Sequence, residues 1–319
     1  MSLKSMIWNG LLVAALCFAV FLLYRIFEQY SLDQIVQSVR SIPLSSFCTA
    51  LLFAAASYLC LGCFDLLAIR SLGKSLPYPR IALASFISLS LGHNIGFAGL
   101  SSGAFRYRFY SRWGLTTEDV AKIILFCGVT VGLGLVTLGG LALIVNPSDA
   151  GRLLRLDRAS VRIFGFLALI VPVVYLGLTF FIRGKLRLWR WSFQLPRFSI
   201  AVAQVAIGTI NFMLVSACLH QMLSAFGDVA FFRSVTAYVL ANSAILATHV
   251  PGGLGVLEAT VSYAVPQEAS IGALIAFRCA YFFIPLALGT TLLLISEIVF
   301  RRSRRTDEEA DEGAEAQSA

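Results

Sequence analysis

An all-α polytopic membrane protein with two inverted repeats, each carrying a re-entrant helical hairpin, is what this chain is expected to form. Three observations predict it. Hydrophobic residues make up 58% of the 319 and charged residues 13%, which leaves too little polar surface for a water-soluble domain. Several apolar runs reach the roughly 20 residues a spanning helix needs, and the short alternating segments of a membrane barrel are absent. Finally, two further uncharged intervals are broken by glycine in the same way near their ends.

The first span is expected near 7–26. Its apolar run, WNGLLVAALCFAVFLLY, follows Lys4 and is succeeded by Arg25 and Phe27 rather than by a small-residue cleavage site. It reads as an uncleaved helix rather than a removed signal peptide. Residues 31–42 place Leu32, Ile35, Val36 and Val39 on one helical face, as in a helix lying on the membrane surface or in an amphipathic linker. Further spans are expected near 44–69, 119–146, 161–182, 198–223 and 269–300, so that residues 1–300 form one transmembrane domain. The tail, 301–319, opens with RRSRR and continues as TDEEADEGAEAQSA. The basic cluster reads as a cytoplasmic stop and the acidic remainder as disordered.

The net charge of +8 is not a nucleic-acid signal. The Lys and Arg lie mostly between apolar runs, where they set orientation against an anionic cytoplasmic leaflet. The seven cysteines fall almost entirely in apolar runs and read as small packing residues. Cys60 and Cys63 form a CxxC with no second pair to complete a metal site, so neither metal nor disulfide framework is expected.

The repeats are expected at about 44–146 and 198–300. No charge lies between Arg80 and Arg106, nor between Arg233 and Glu258. The first interval is broken by GHNIGFAGLSSG at 92–103, with Gly96, Gly99 and Gly103. The second is broken by HVPGGLG at 249–255, with Pro251, Gly252, Gly253 and Gly255. Each break is followed by a partly apolar stretch and then by a span preceded by acidic residues. Hairpins at about 81–113 and 233–266, each returning to the side it entered, put 16 Lys and Arg inside and 7 outside; full crossings give 12 and 11. The positive-inside rule favours hairpins, with both termini cytoplasmic. The two copies then have opposite orientation, which is how many alternating-access transporters are built. Broken backbone at membrane depth is tolerated where protein or water covers it, so the breaks argue for a cavity.

Charges within apolar segments are functional candidates by default. Glu258 follows the second break by three residues, and Arg106 follows Gly103 at the same spacing. The two either pair across the cavity or contact a cationic group and a phosphate respectively; the plain alternative is a structural ion pair. Arg suits phosphate through its planar fork. Arg108 and Arg112 belong to the Arg-aromatic run FRYRFYSRW, which suits the headgroup level or simple anchoring. Asp65 is read near an interface, five residues from Arg70, a spacing that makes no clean helical pair. Arg278, about ten residues into the last span, needs a carboxylate or a cavity, and Glu258 is a plausible partner. Glu297 stands four residues before Arg301 and reads as a terminal salt bridge. His93 and His249 draw interest because both precede the breaks. Walker, dinucleotide, GxSxG and HExxH motifs are absent, so no cofactor is expected.

HVPGGLGVLE at 249–258, GAFRYRFYS at 103–111 and AFRCAYFFIP at 276–285 resemble the transmembrane lysylphosphatidylglycerol synthase/flippase family. That family includes the membrane domain of the multiple peptide resistance factor and stand-alone bacterial membrane proteins. The resemblance covers nearly the whole chain to about residue 300. It implies a bacterial inner-membrane, flippase-like lipid translocator rather than an enzyme, because the tail after residue 300 is too short and acidic for a transferase. A phospholipid is the implied substrate, with aminoacylated phosphatidylglycerol among the candidates. The residue match carries over Arg106, Glu258 and the Pro251-Gly252-Gly253 break, and Arg278 with them. Membrane lipids and a separately encoded lipid synthase are the implied partners. The alternative reading is a non-transporting membrane partner or regulator of such a synthase.

Overall fold

The computed structural model describes residues 33, 36–37, 40–95, 98–182, 185–188, 191–266 and 271–300. The expected first span, most of the 31–42 segment and the tail lie outside them. The chain is α-helical, and five described helices are long and apolar enough to cross a membrane. These are α1 (Leu44–Ser71), α4 (Thr117–Val145), α6 (Arg158–Phe181), α7 (Phe198–Leu223) and α10 (Ile271–Phe300). With the family evidence given below, the protein is a multi-pass membrane protein.

Between α1 and α4 the chain forms α2 (Tyr78–Ile95) and α3 (Ala98–Arg112). The expected break is shorter than the glycine pattern suggested, since α2 runs on through Gly92 to Ile95. The two helices fold back on each other. The Ser101 hydroxyl donates to the Gly92 carbonyl at 3.3 Å, and the Arg80 guanidinium lies 5.9 Å from the Trp113 ring. The start of α2 therefore sits beside the end of α3. Lys74 and Asp119 form an ion pair at 2.5 Å near the same end, bringing the exit of α1 to the entry of α4. Thr116 caps α4 by accepting from Asp119 N–H while the Asp119 carboxylate accepts from Thr116 N–H, the reciprocal arrangement of a capping box.

A short helix, α5 (Pro147–Leu154), begins on a proline, where the missing N–H is not needed. Asp157 then caps α6 by accepting from the backbone of Ala159 and Ser160. The Ser160 hydroxyl and N–H hold the Asp157 carboxyl below its ordinary range. An antiparallel ribbon, β1 (Lys185–Leu188) with β2 (Trp191–Gln194), pairs Lys185 with Gln194 and leads into α7. Beyond α7 come α8 (Phe231–Thr248), a single turn at Pro251–Gly253, and α9 (Val256–Ala264).

Small residues set the closest helix crossings. A Cβ on Gly208 of α7 would lie 2.5 Å from the Thr130 carbonyl of α4, and Gly134 faces Gly208 from the other side. Gly140 of α4 and Gly165 of α6 repeat the device, each Cβ meeting the other's carbonyl oxygen at 3.0 Å. In lipid, where water does not drive helices together, close backbone approach supplies much of the packing energy. Polar bonds at Gln204 tie α7 to both α6 and α4. Tyr175 donates to Gln204 at 2.5 Å, and Gln204 donates to Thr130 at 3.0 Å. The lipid-facing character of α6 shows in its exposed Ile163, Phe166, Ile170 and Val174.

Within α10 one turn widens into a π-helix at Cys279–Phe283, with Ile284 N–H donating to the Cys279 carbonyl five residues back. Pro285 explains it. Proline has no N–H to offer the carbonyl four residues earlier, that of Tyr281, and its ring crowds that turn. The orphaned Tyr281 carbonyl is satisfied from α1 by the Tyr58 hydroxyl at 3.3 Å.

Candidate functional site

The second break is built by four residues in the left-handed region: His249 (φ 55°), Gly252 (60°), Gly253 (59°) and Gly255 (79°). Three of the four are glycines because a Cβ is strained there. Each carbonyl the break exposes needs a donor, and Arg278 supplies two. Its Nη1 donates to Gly252 O at 2.9 Å and its Nη2 to Gly253 O at 3.0 Å. The same guanidinium grips Glu258, Nε on Oε1 and Nη2 on Oε2, while Glu258 Oε2 also accepts from Gly255 N–H at 2.9 Å. Arg278 is 1% exposed, so nearly all its hydrogen-bonding capacity is spent holding the break in shape. The sequence-stated pairing of Glu258 with Arg278 is present.

Arg106 does not pair with Glu258. That alternative is corrected by a carboxylate the spacing argument overlooked: Asp65 of α1. Arg106 Nε donates to both Asp65 oxygens at 3.2 and 3.0 Å, Nη2 donates to Oδ1 at 3.0 Å, and Nη1 donates to Ser102 at 2.8 Å. Tyr110 OH donates to Asp65 Oδ2 at 2.6 Å, and the Cys127 thiol to Oδ1 at 3.1 Å. Asp65 is 0% and Arg106 3% exposed. Asp65 lies less than two turns from the end of α1, yet is buried in the fold, where a charge persists only when paired and bonded on every oxygen.

Arg108 and Arg112 converge on Glu297 of α10. Arg108 Nη2 lies 2.6 Å from Oε2, and Arg112 Nη1 2.9 Å from Oε1. The Arg112 guanidinium also stacks 4.6 Å from the Phe300 ring. Glu297 was read against Arg301, which lies outside the described residues; the partners across the fold were missed because nothing local announces them. Lys122 makes a surface pair with Glu118 at 2.7 Å.

A cavity of about 420 Å³ lies between the two breaks. His93 of α2 and Ser102 and Arg106 of α3 reach it from the first, and His249, Gly252 and Gly253 from the second. Asn94 of α2 packs directly against the second break: a Cβ on Gly252 would meet Asn94 O at 3.6 Å. The remaining wall is mostly apolar, with small residues Gly128 and Gly132 of α4 giving room. Tyr281 at the π turn closes one side, tied through Ser57 of α1 to Asn211 of α7 at 3.0 and 2.8 Å. Of the glycines named at the first break, Gly96 lies outside the described residues and Gly99 falls in the first turn of α3. Gly103 faces Ile124 of α4, whose Cδ1 would lie 2.7 Å from a Cβ. Among the described residues no set of three His, Cys, Asp or Glu is placed for a metal ion.

Residues 7–289 match the family described as the lysylphosphatidylglycerol synthase TM region. The chain belongs to that family. It is 30% identical over 289 residues to the uncharacterized protein slr0712 of Synechocystis, covering 89% of this chain and 90% of that one. It is 28% identical over 288 residues to the inner membrane protein YbhN of Escherichia coli, covering 87% and 88%. A phosphatidylglycerol lysyltransferase of Staphylococcus haemolyticus is 23% identical over 252 residues, 77% of this chain but 28% of that protein. The resemblance read from the three motifs is thereby shown, and it is lipid-related.

Proposed function

We propose that this protein moves a phospholipid between the leaflets of a bacterial inner membrane, its headgroup passing through the cavity between the two breaks. One observation carries the reading: a cavity deep in a spanning bundle, bounded by both helix breaks, with the buried guanidinium of Arg106 on its wall. A buried arginine in a membrane is costly and persists at ion and substrate paths. Interrupted helices meeting at such a cavity are the usual construction of alternating-access transporters.

In this reading α2–α3 and α8–α9 are re-entrant hairpins of two inverted repeats. The Arg80–Trp113 contact and the Lys74–Asp119 pair support the first, since they gather the ends of α2–α3 with the ends of the adjoining spans on one side. The Glu297 contacts with Arg108 and Arg112 bring the end of α10 to that same side, which is the cytoplasmic side by the charge count. Arg106, with Ser102, holds phosphate. Glu258 and Arg278 shape the break and let it act as one rigid wall. Arg108 and Arg112 anchor the first hairpin to α10 at headgroup level. The name of the staphylococcal relatives puts phosphatidylglycerol and its lysyl ester on the starting list of substrates, with a lipid synthase as a separate partner.

The test is leaflet-resolved movement of acyl-labelled phosphatidylglycerol in liposomes holding the purified protein. Wild type is set beside the Asp65→Asn/Arg106→Gln double variant, which removes both charges at once, with size-exclusion behaviour checking the fold. Movement above empty liposomes that the double variant abolishes is the expected result. Equal movement by both proteins would remove Arg106 from the path, and no movement by either would sink translocation of this lipid.

A further inference from the structure

The cavity wall presents a guanidinium but no carboxylate, since the counter-charge of Arg106, Asp65, lies off the wall. Among the described residues that line it, Arg106 is the one residue carrying a permanent charge. No Asp or Glu lines it. The two carboxylates nearest to the breaks are turned into other bonds. Asp65 accepts on both oxygens from Arg106, Tyr110 and Cys127, and Glu258 accepts on both from Arg278 and on one from Gly255 N–H. Arg106, by contrast, keeps capacity. A guanidinium has five N–H groups. The bonds to Asp65 and Ser102 use Nε and one N–H on each terminal nitrogen, leaving one on Nη1 and one on Nη2.

The rest of the polar wall is uncharged and ordered. Tyr238 and Asn242 of α8, and His249 that ends it, all line the cavity. A spacing of four residues puts Tyr238 and Asn242 on one face of the helix. Tyr238 is buried, Asn242 half-buried and His249 exposed, so the polar stripe of α8 runs from the interior towards the surface at the break. Neither the Tyr238 hydroxyl nor the Asn242 amide bonds to another described residue. A hydroxyl and an amide both donate and accept, which suits the hydroxyls of a polyol.

We infer that the site selects a phosphodiester lipid whose headgroup is an uncharged polyol and rejects headgroups that carry an amine. The phosphate takes the two remaining N–H groups of Arg106. The hydroxyls exchange hydrogen bonds along the Tyr238–Asn242 stripe. An ammonium entering the same space finds a guanidinium and no carboxylate, and an unpaired charge at membrane depth is strongly disfavoured. Of the lipids the family suggests, phosphatidylglycerol fits and its lysyl ester does not. The inference rests on the translocation reading and narrows it.

The experiment compares acyl-labelled phosphatidylglycerol with acyl-labelled lysyl-phosphatidylglycerol in phosphatidylcholine liposomes holding the wild-type protein. Phosphatidylglycerol is expected to cross about tenfold faster or more, given the penalty on an unpaired intramembrane charge. Asn242→Asp, which sets a carboxylate on the stripe, is expected to shrink or reverse that ratio. A lysyl ester that crosses as fast as phosphatidylglycerol in wild type overturns the selectivity and leaves translocation standing. If neither lipid crosses faster than in empty liposomes, the translocation reading fails and takes the selectivity with it. A ratio unchanged by Asn242→Asp, with phosphatidylglycerol still crossing, removes the α8 stripe from recognition and so overturns the account of selection.

Discussion

Replacing Asp65 with Asn preserves shape and deletes charge at the most buried ion pair among the described residues. In the wild type the carboxylate accepts from Arg106 Nε and Nη2, from Tyr110 OH at 2.6 Å and from the Cys127 thiol at 3.1 Å. An Asn offers one acceptor where two are needed, and its NH₂ meets either the Arg106 or the Tyr110 donor. Arg106, 3% exposed, is left without a counter-charge. Breaking a buried pair by removing one partner costs about 3–5 kcal/mol. Arg106→Gln should lose a similar amount, since the buried carboxylate then keeps only Tyr110 and Cys127. The double variant removes both charges and should be no less stable than either single, so the two effects fail to add by at least about 3–5 kcal/mol. The assay is reversible unfolding in mixed micelles, followed by far-ultraviolet circular dichroism for all four proteins. Additive losses, or an Asp65→Asn loss under about 1 kcal/mol, would refute the claim that this pair is buried and mutually compensated.

Other outcomes follow from the same geometry. Gly208→Ala should destabilise the α4–α7 crossing by about 1–3 kcal/mol, the usual range for overpacking, because its Cβ would stand 2.5 Å from Thr130 O; thermal unfolding in detergent reads this, and an unchanged midpoint would contradict it. Arg278→Lys should not be tolerated despite keeping the charge, since one ammonium cannot serve Gly252 O, Gly253 O and both Glu258 oxygens at once; protease nicking at the second break should rise, and wild-type resistance would count against the clamp. Arg108→Ala should destabilise more than Arg112→Ala, because the first is 9% and the second 22% exposed in its pairing with Glu297; the order of their unfolding midpoints decides it.

The spans were legible because they depend on local composition. The expected 198–223 is the observed α7, and 44–69 differs from α1 by two residues at its end. The second break was legible for a related reason: Pro-Gly-Gly cannot continue a helix, and left-handed backbone is what those glycines supply. Glu258 and Arg278 could be matched because each was a lone charge in an apolar stretch. The same rule, applied to Asp65 and Arg106, would have paired them, but Asp65 was judged against its sequence neighbour Arg70. For Glu297, the comparison with its sequence neighbour Arg301 likewise passed over Arg108 and Arg112. In a bundle of six or more helices a charge is neutralised by whichever helix packs beside it, and packing partners are non-local. Tyr110, Cys127, Tyr238 and Asn242 carried no sequence signal of their own. Only a helix-face count along 231–248, taking the break as the cavity end, would have grouped the last two. The π turn at 279–283 was implied by Pro285 within an apolar run and was not drawn out.

The central claim is that the cavity opens in turn to both sides of the membrane. The direct measurement is accessibility of a single cysteine at Asn242, in a background freed of the seven native cysteines. A membrane-impermeant thiol reagent is added to sealed vesicles from the outside or enclosed within them. The account predicts labelling from both sides, each slowed by added phosphatidylglycerol. Labelling from one side only, under both arrangements, would contradict it and leave the cavity as the pocket of a membrane-bound partner protein.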